Sequence, residues 1–340
     1  MTGSREHCTH IFKFTMKKNI KPFKFKPYLK TVLWGGERIA PFKGIDTDLH
    51  NIGESWEISG VEGHVSVVAE GPDQGKSLVD LIDCYGPDLV GEKVYKHYGR
   101  KFPLLIKIID AQRDLSVQVH PGDELAMQRH HSLGKTEMWY VIDAKPGAVI
   151  HAGLSQPLTP EIYEKRVAEK SIMEVVAHHE SHAGDVYVLP AGRIHAIGAG
   201  NLLAEIQETS DITYRVYDFD RRDKDGNLRQ LHTEQARDAI DYTVYDSYCT
   251  PYDRQARGLV DLVDCPYFNV KRLMVDGCIN MALPQPHSFV ILMCIDGAAT
   301  ATDFYGNVTT MRRGETVLVP ALATMLALEG TATLLTIQVD

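Results

Sequence analysis

The chain has 340 residues, 44% of them hydrophobic, enough to bury a large core in two or three packed units. A net charge of -9 argues against a nucleic-acid-binding face, although a local basic pocket for an anion stays open. Six cysteines without a CxxC pair, no apolar run near the roughly 20 residues of a membrane span, and an N-terminus lacking a signal-peptide centre predict free thiols. By default they also predict a cytoplasmic location with no membrane partner.

Residues 1–20 read as a frayed extension. Short apolar stretches over 21–70 are broken by Gly35-Gly36, Pro41, Gly44 and Gly53, and Glu54–Ser59 alternates polar and apolar like a half-buried strand. Over 76–100, Leu78, Leu81, Ile82, Leu89 and Val94 are spaced for helices interrupted at Gly86-Pro87. Strand character returns at Leu104–Ile109 and Leu115–His120, and two more strands flank Lys145-Pro146-Gly147. Thr159-Pro160-Glu161 opens a helical insert, 159–180, with a capping residue and proline at the first helical position. Strands resume over 185–218. A charged turn at Asp225-Gly226-Asn227 leads to a helical linker, 231–265, with a helix near 233–241. From 266 to 340 the chain reads as strand and turn.

Residues 184–207 and 314–338 align, Pro190 matching Pro320 and Ile206-Gln207 matching Ile337-Gln338 after one added residue. A repeat of this kind predicts a mainly β protein of two jelly-roll barrels with a small helical insert. One barrel is expected over 21–158 and 181–230. The second is expected over 266–340, free of metal and filled partly by Leu318, Met325 and Leu335.

The repeat also singles out chemistry. Met325 stands where His195 stood, so His195 is not needed by the fold unit itself. Gln118 and His120, two apart on a strand, share a face, while Val117 and Val119 point the other way. Glu137 opens an apolar strand, where an unpaired carboxylate is expensive to bury. Two imidazoles, one carboxylate and an amide or water suit Zn²⁺, Fe²⁺ or a similar ion with open positions. Lys135 shares the Glu137 face, Arg215 points opposite to Tyr214 and Val216, and Lys107 sits inside an apolar strand and faces a polar cavity. Three cations beside a metal suit an anionic ligand. One alternative is a non-catalytic sugar-binding or storage roll, and an enzymatic one is an Fe²⁺-dependent oxygenase, which leaves these three cations without a task. His130-His131 and His178-His179 are expected on the surface.

In order, Gly53–Ser59, Gln118–Pro121, Lys135–Tyr140, Pro190–Ile197 and Tyr214–Asp218 resemble type I mannose-6-phosphate isomerases, members of the cupin superfamily, in their short bacterial form. The resemblance runs from about residue 26 to the C-terminus. It implies one Zn²⁺ per chain held by Gln118, His120, Glu137 and His195, with Gln118 replaceable by water. It implies an isomerase that interconverts mannose 6-phosphate and fructose 6-phosphate through an enediolate, so the partner is a small phosphorylated sugar. Lys107, Ser116 and Lys135 match substrate-pocket positions, Arg215 matches a catalytic arginine, and Glu205 resembles a carboxylate proposed to move protons. Lys135 is carried as a catalytic group as well. The general base is left between Glu205 and a hydroxide on the metal.

Overall fold

A computed structural model describes residues 19–222, 225–283 and 287–339. In chain order the elements are β1 (Phe23–Lys24), β2 (Tyr28–Gly36), α1 (Ile39–Lys43), β3 (Ile52–Ile58), α2 (Leu78–Tyr85), α3 (Pro87–Val90), α4 (Glu92–Tyr98), β4 (Leu104–Asp110) and β5 (Val117–Val119). There follow α5 (Asp123–His130), β6 (Glu137–Ala144), β7 (Val149–Leu154), α6 (Pro160–Ala168), β8 (Val176–Glu180), β9 (Val186–Leu189), β10 (His195–Ile197), β11 (Asn201–Glu208), β12 (Tyr214–Tyr217) and α7 (Thr233–Ala239). The last are β13 (Gly258–Asp264), β14 (Asn269–Ala282), β15 (Val290–Asp303), β16 (Val308–Arg312), β17 (Thr316–Val319) and β18 (Met325–Gln338).

The fold is mainly β, built as two jelly-roll units. In the first, a sheet ordered β2-β3-β4-β11-β6-β9 faces a sheet ordered β12-β5-β10-β7-β8. Between them lie Trp139, Val141, Ile150, Ala152, Ile197 and Leu203, together with the polar residues of the site. Strand alternation sorts the faces. On β4, β6 and β11 the other face carries Ile106, Ile108, Met138, Tyr140, Ala204 and Ile206, which pack against Val270, Ile291, Met293, Leu335 and Ile337 of the second unit. The larger sheet is therefore buried on both sides, and its central strands have no exposed face.

That double burial corrects the reading of Glu54–Ser59 as half exposed, since every residue of β3 is buried. Its polar positions are covered by pairing instead. Lys43 Nζ, from α1, donates to both Glu57 oxygens at 2.7 Å and to the Gly314 carbonyl of the second unit at 2.5 Å.

The second unit is a sheet ordered β1-β17-β15-β18-β14-β13, with β16 on β15. Three of its strands run 14 residues each. They bend where backbones approach closely, at Gly297 and Gly330, both at positive φ, where a Cβ would strike the carbonyls of Thr331 and Ala298. The interior holds Leu273, Leu292, Val317, Leu326, Leu328 and Leu334. Met325 is a correction: as the first residue of β18 it is 42% exposed, and its neighbour Leu326 takes the interior position. Leu318 and Leu335 are buried as expected, but they face the first unit and not this interior.

Element boundaries also differ from expectation. The 159–180 insert is helical only through Ala168. After a 3-10 turn at Ile172–Glu174 it becomes β8 and joins the smaller sheet. On this helix Ile162 is 43% exposed, while Tyr163 and Val167 face the core. In 231–265 the helix spans only Thr233–Ala239, and from Gly258 the chain is strand in the second unit's sheet. β1 pairs with β17, so an N-terminal strand completes the C-terminal sheet. Of the extension expected over 1–20, residues 1–18 lie outside the described residues, and Ile20 is buried. No described helix is long and apolar enough to cross a membrane.

Candidate metal centre and anion cavity

His195 opens β10, opposite Gln118 of β5 and Ala152 of β7. Glu137 opens β6, opposite Leu189 and Gln207. His120 follows β5 immediately, and its carbonyl accepts from Gly192 N at 2.8 Å, which ties it to the turn before His195. The strand periods aim all three side chains between the sheets. They are 0–1% exposed, and their ligating atoms lie within 4.8 Å of one another.

The tautomers follow from the partners. His120 Nδ1 donates to the Ile212 carbonyl at 2.9 Å, and His195 Nδ1 donates to the Arg193 carbonyl at 2.7 Å. A backbone carbonyl only accepts, so each Nδ1 carries the proton and each Nε2 presents a lone pair. Burial, reinforced by nearby Lys135, pushes the His120 imidazole down to about 3, and burial also lowers His195. Both rings are neutral near neutral pH. Trp139 meets the His195 ring edge-on, 5.3 Å between centroids.

Glu137 is ionised. Burial opposes its charge, but opposite charge beside it, Lys135 foremost, outweighs burial and holds the carboxyl well below its ordinary range. Its oxygens lie 3.4 Å from His120 Nε2, 3.2 Å from His195 Nε2 and 3.2 Å from Lys135 Nζ. Yet His120 Nε2 and both Glu137 oxygens have no hydrogen-bond partner. Acceptors face acceptors with no proton between them, an arrangement that costs energy unless a cation sits among them. The donor set, two neutral imidazoles and one carboxylate, fits a divalent transition ion. Gln118 faces the same point, its amide nitrogen 3.3 Å from His195 Nε2. A half-turn of the amide would present oxygen instead.

A cavity of about 410 Å³ opens above this cluster, lined among others by Lys107, Ser116, Gln118, Lys135, Glu205 and Arg215. Lys107 Nζ donates to Glu205 Oε1 and to Gln207 Oε1, each at 2.8 Å, and lies 3.8 Å from Glu54. Burial works against its charge, but Glu205 and Glu54 raise it above the ordinary lysine value. The other Glu205 oxygen accepts from Trp139 Nε1 at 2.9 Å. Arg215 donates from Nη1 to the Gln230 carbonyl at 2.9 Å, its Nε is buried without a partner, and it forms no ion pair among the described residues.

The comparisons with known proteins fall on this geometry. The profile for phosphomannose isomerase type I, catalytic domain, matches residues 23–150, and that for mannose-6-phosphate isomerase, cupin domain, matches residues 260–339. Mannose-6-phosphate isomerase ManA of Bacillus subtilis (strain 168) is 34% identical over 316 residues, 92% of this chain and 97% of that protein. The chain belongs to the type I phosphomannose isomerase family. A family member from Streptococcus mutans is 34% identical over 88% of this chain and 92% of its own length. The crystal structure of the mannose 6-phosphate isomerase from Bacillus subtilis superposes with a TM-score of 0.84 at 31% identity, covering 94% of this chain and 99% of that one.

In this phosphomannose isomerase fold, every site residue expected from the sequence borders the one cavity or its floor. Other cavity residues escaped the sequence reading: Lys30, Glu54, Asp211 and Arg229 also line the wall. Lys30 could have been found by strand period, since it stands two residues from Val32, which lines the same cavity. Asp211 lies in an irregular segment and carries no local signal. His130 and His178 are exposed as expected, while His179 is half-buried.

Proposed function

We propose that the chain interconverts mannose 6-phosphate and fructose 6-phosphate, with Zn²⁺ held by His120, Glu137 and His195 and by Gln118 through its amide oxygen. The observation that carries this reading is the convergence of two lone-pair nitrogens and a buried carboxylate that has no hydrogen-bond partner, beside Lys135 and a cation-lined cavity. The matching relatives bear the name of that activity.

When bound, the divalent ion would polarise the sugar carbonyl and favour the charge that develops on it. The chain's own residues do the rest. Arg215 is the cavity cation whose charge no carboxylate matches, so it is available to stabilise the developing enediolate. Lys135, 3.2 Å from Glu137, lies at the floor and binds the anionic part of the substrate together with Ser116.

Proton transfer between C1 and C2 needs a carboxylate with a free oxygen in reach. Glu54 accepts from Trp56 Nε1 at 2.7 Å and pairs with Lys30 at 3.2 Å. Glu205 has one oxygen on Lys107 and the other on Trp139. Asp211 is exposed on the same wall and forms no ion pair among the described residues. In this reading Asp211 moves the proton and Glu205 positions Lys107. The decisive experiment is a coupled assay on mannose 6-phosphate, run as isolated, after chelation and after adding zinc. Activity that is absent throughout, or that survives complete chelation, defeats the proposal.

A further inference from the structure

A second and larger cavity, about 650 Å³, lies at the seam between the two β units. β6 supplies Tyr140 and Asp143, β14 supplies Arg272, the segment before β13 supplies Arg254, the turn before β17 supplies Arg313, and Arg38 comes from the N-terminus of α1. Four guanidinium groups from four separate parts of the chain meet around one space.

Arg272 is the most informative. It is 5% exposed, and no carboxylate pairs with it among the described residues. Its Nη atoms donate to the backbone carbonyls of Arg254 (2.9 Å), Asp253 (3.4 Å) and Ala256 (2.5 Å), and its Nε is buried with no partner. The fold thus holds a cation in place by dipoles and leaves its charge unmatched among the described residues, an unfavourable arrangement in a low-dielectric setting. Arg38 Nη2 is likewise buried without a partner, while its Nε and Nη1 are on Asp110 and Asp143. Arg254 is matched by Asp185. Arg313 is exposed at the rim, stacked over Phe42 at 5.6 Å, and forms no ion pair among the described residues. Arg272 lies 5.3 Å over the ring of Tyr252. Stacking on an aromatic face leaves in-plane N–H groups uncovered; on Arg272 those still without a partner are Nε–H and one Nη1–H. Two charges work in the opposite direction: Asp143, paired with Arg38, and Asp296, exposed, also border the cavity.

We propose that this seam cavity is a binding site for a small phosphate monoester, separate from the isomerase cavity, with the phosphoryl group between Arg272 and Arg313. A phosphoryl group carries about two negative charges near neutral pH, enough to match these two cations. The volume lies in the range of small-molecule sites, roughly 300–1,000 Å³. Because the walls come from both units, an occupant would clamp one to the other. None of this depends on the isomerase reading.

Two measurements on the full chain test it. Crystals soaked in tungstate, an oxyanion located by anomalous scattering, should show a peak within hydrogen-bond reach of Arg272 and Arg313. Titration calorimetry with inorganic phosphate should resolve a component that Lys135→Ala leaves intact. Arg313→Glu should weaken that component tenfold or more, Arg313→Ala less, and Asp296→Asn should tighten it. None of these three changes should alter kcat/KM for mannose 6-phosphate at low phosphate. No tungstate at the seam, or a phosphate component indifferent to Arg313 and Asp296, overturns the proposal; a peak without that dependence is an adventitious ion only. Loss of isomerase activity in the Arg313 and Asp296 variants would show that the seam is not separate from the isomerase cavity and would also overturn the proposal, whereas a native chain inactive on mannose 6-phosphate would defeat the isomerase reading and leave the seam result standing.

Discussion

Glu205→Gln separates the charge of a buried carboxylate from its shape. In the native chain its two oxygens serve two donors, Lys107 Nζ at 2.8 Å and Trp139 Nε1 at 2.9 Å. A glutamine has one oxygen, so it accepts from one donor and turns its amide N–H groups toward the other. Removing one member of a buried ion pair costs roughly 3–5 kcal/mol when the partner is left alone. Lys107 is not left alone, because Gln207 accepts at 2.8 Å and Glu54 stands 3.8 Å away. The cost should fall nearer the value of one hydrogen bond to a charged group plus one orphaned donor, about 2–4 kcal/mol. Chemical denaturation of the metal-loaded enzyme reads the stability, and steady-state kinetics on the same preparation reads the chemistry. If Glu205 positions Lys107, stability drops by that amount while kcat falls less than about 100-fold, the lower end of what a lost general base removes. Native-like stability together with a kcat loss of about 1,000-fold or more would refute the reasoning and make Glu205 the base.

His195→Ala should remove both the bound metal and the activity, because one of three converging acceptors is gone; stoichiometric metal by elemental analysis in that variant contradicts the centre. Arg215→Lys should lose about 100-fold or more in kcat, the scale of one strong electrostatic donor, whereas Lys135→Ala should mainly raise KM; metal content is checked in both. Met325→Ala should cost less than about 0.5 kcal/mol, as exposed sites do, while the adjacent Leu326→Ala should cost about 2–5 kcal/mol, and equal costs would undo the register assigned to β18. Glu208 supplies a pH dependence: burial lifts its carboxyl from 4.5 to about 7, against the hydrogen bond from Thr136. A raised carboxyl binds its proton more tightly folded than unfolded, so its contribution is full below about pH 4.5 and is lost as pH rises through 7. At 1.36 kcal/mol per pH unit this is about 3 kcal/mol. Glu208→Gln should therefore stabilise the chain at pH 8 and not at pH 4.5 in thermal melts, and no pH-dependent gain would show the carboxyl is not perturbed.

The sequence exposed those features whose signal is local. Gln118, His120, Glu137 and His195 were legible because strand period two puts 118 and 120 on one face, and because the second repeat keeps the proline turn while exchanging the histidine for Met325. Lys107 was legible as a lysine inside an apolar run. Features set by the partner surface were not legible. Ser55 and Glu57 alternate with apolar residues like a solvent-facing edge, yet Lys43 and the second unit bury them. Trp139 reads as core, and only the register β6–β11, which sets it opposite Glu205, shows its indole N–H fixing a carboxylate. The helix expected through residue 180 stops early: Lys170 takes a positive φ of 57°, and Val175-Val176, β-branched, continues as strand. In β18 the repeat placed Met325 correctly in sequence, but register decides that Leu326 points inward.

The two units differ in what their interiors hold. The interior of the second is apolar throughout its core. The interior of the first holds Lys107, Lys135, Glu137 and Glu205, nearly all buried, and such a polar space weakens a small β sandwich. The expense is offset in two ways. The charges are matched in pairs, Lys107 with Glu205 and Lys135 with Glu137. The strands that carry them, β4, β6 and β11, are packed on their outer face against the second unit. The second unit thus supplies the apolar burial that the first gave up to its site, and it backs the strand that carries Glu137, while His120 and His195 stand on the smaller sheet. A roll separated from its partner would expose Ile106, Ile108, Met138 and Ile206 at once, so the metal centre and the barrel without a metal ligand set should be gained or lost together.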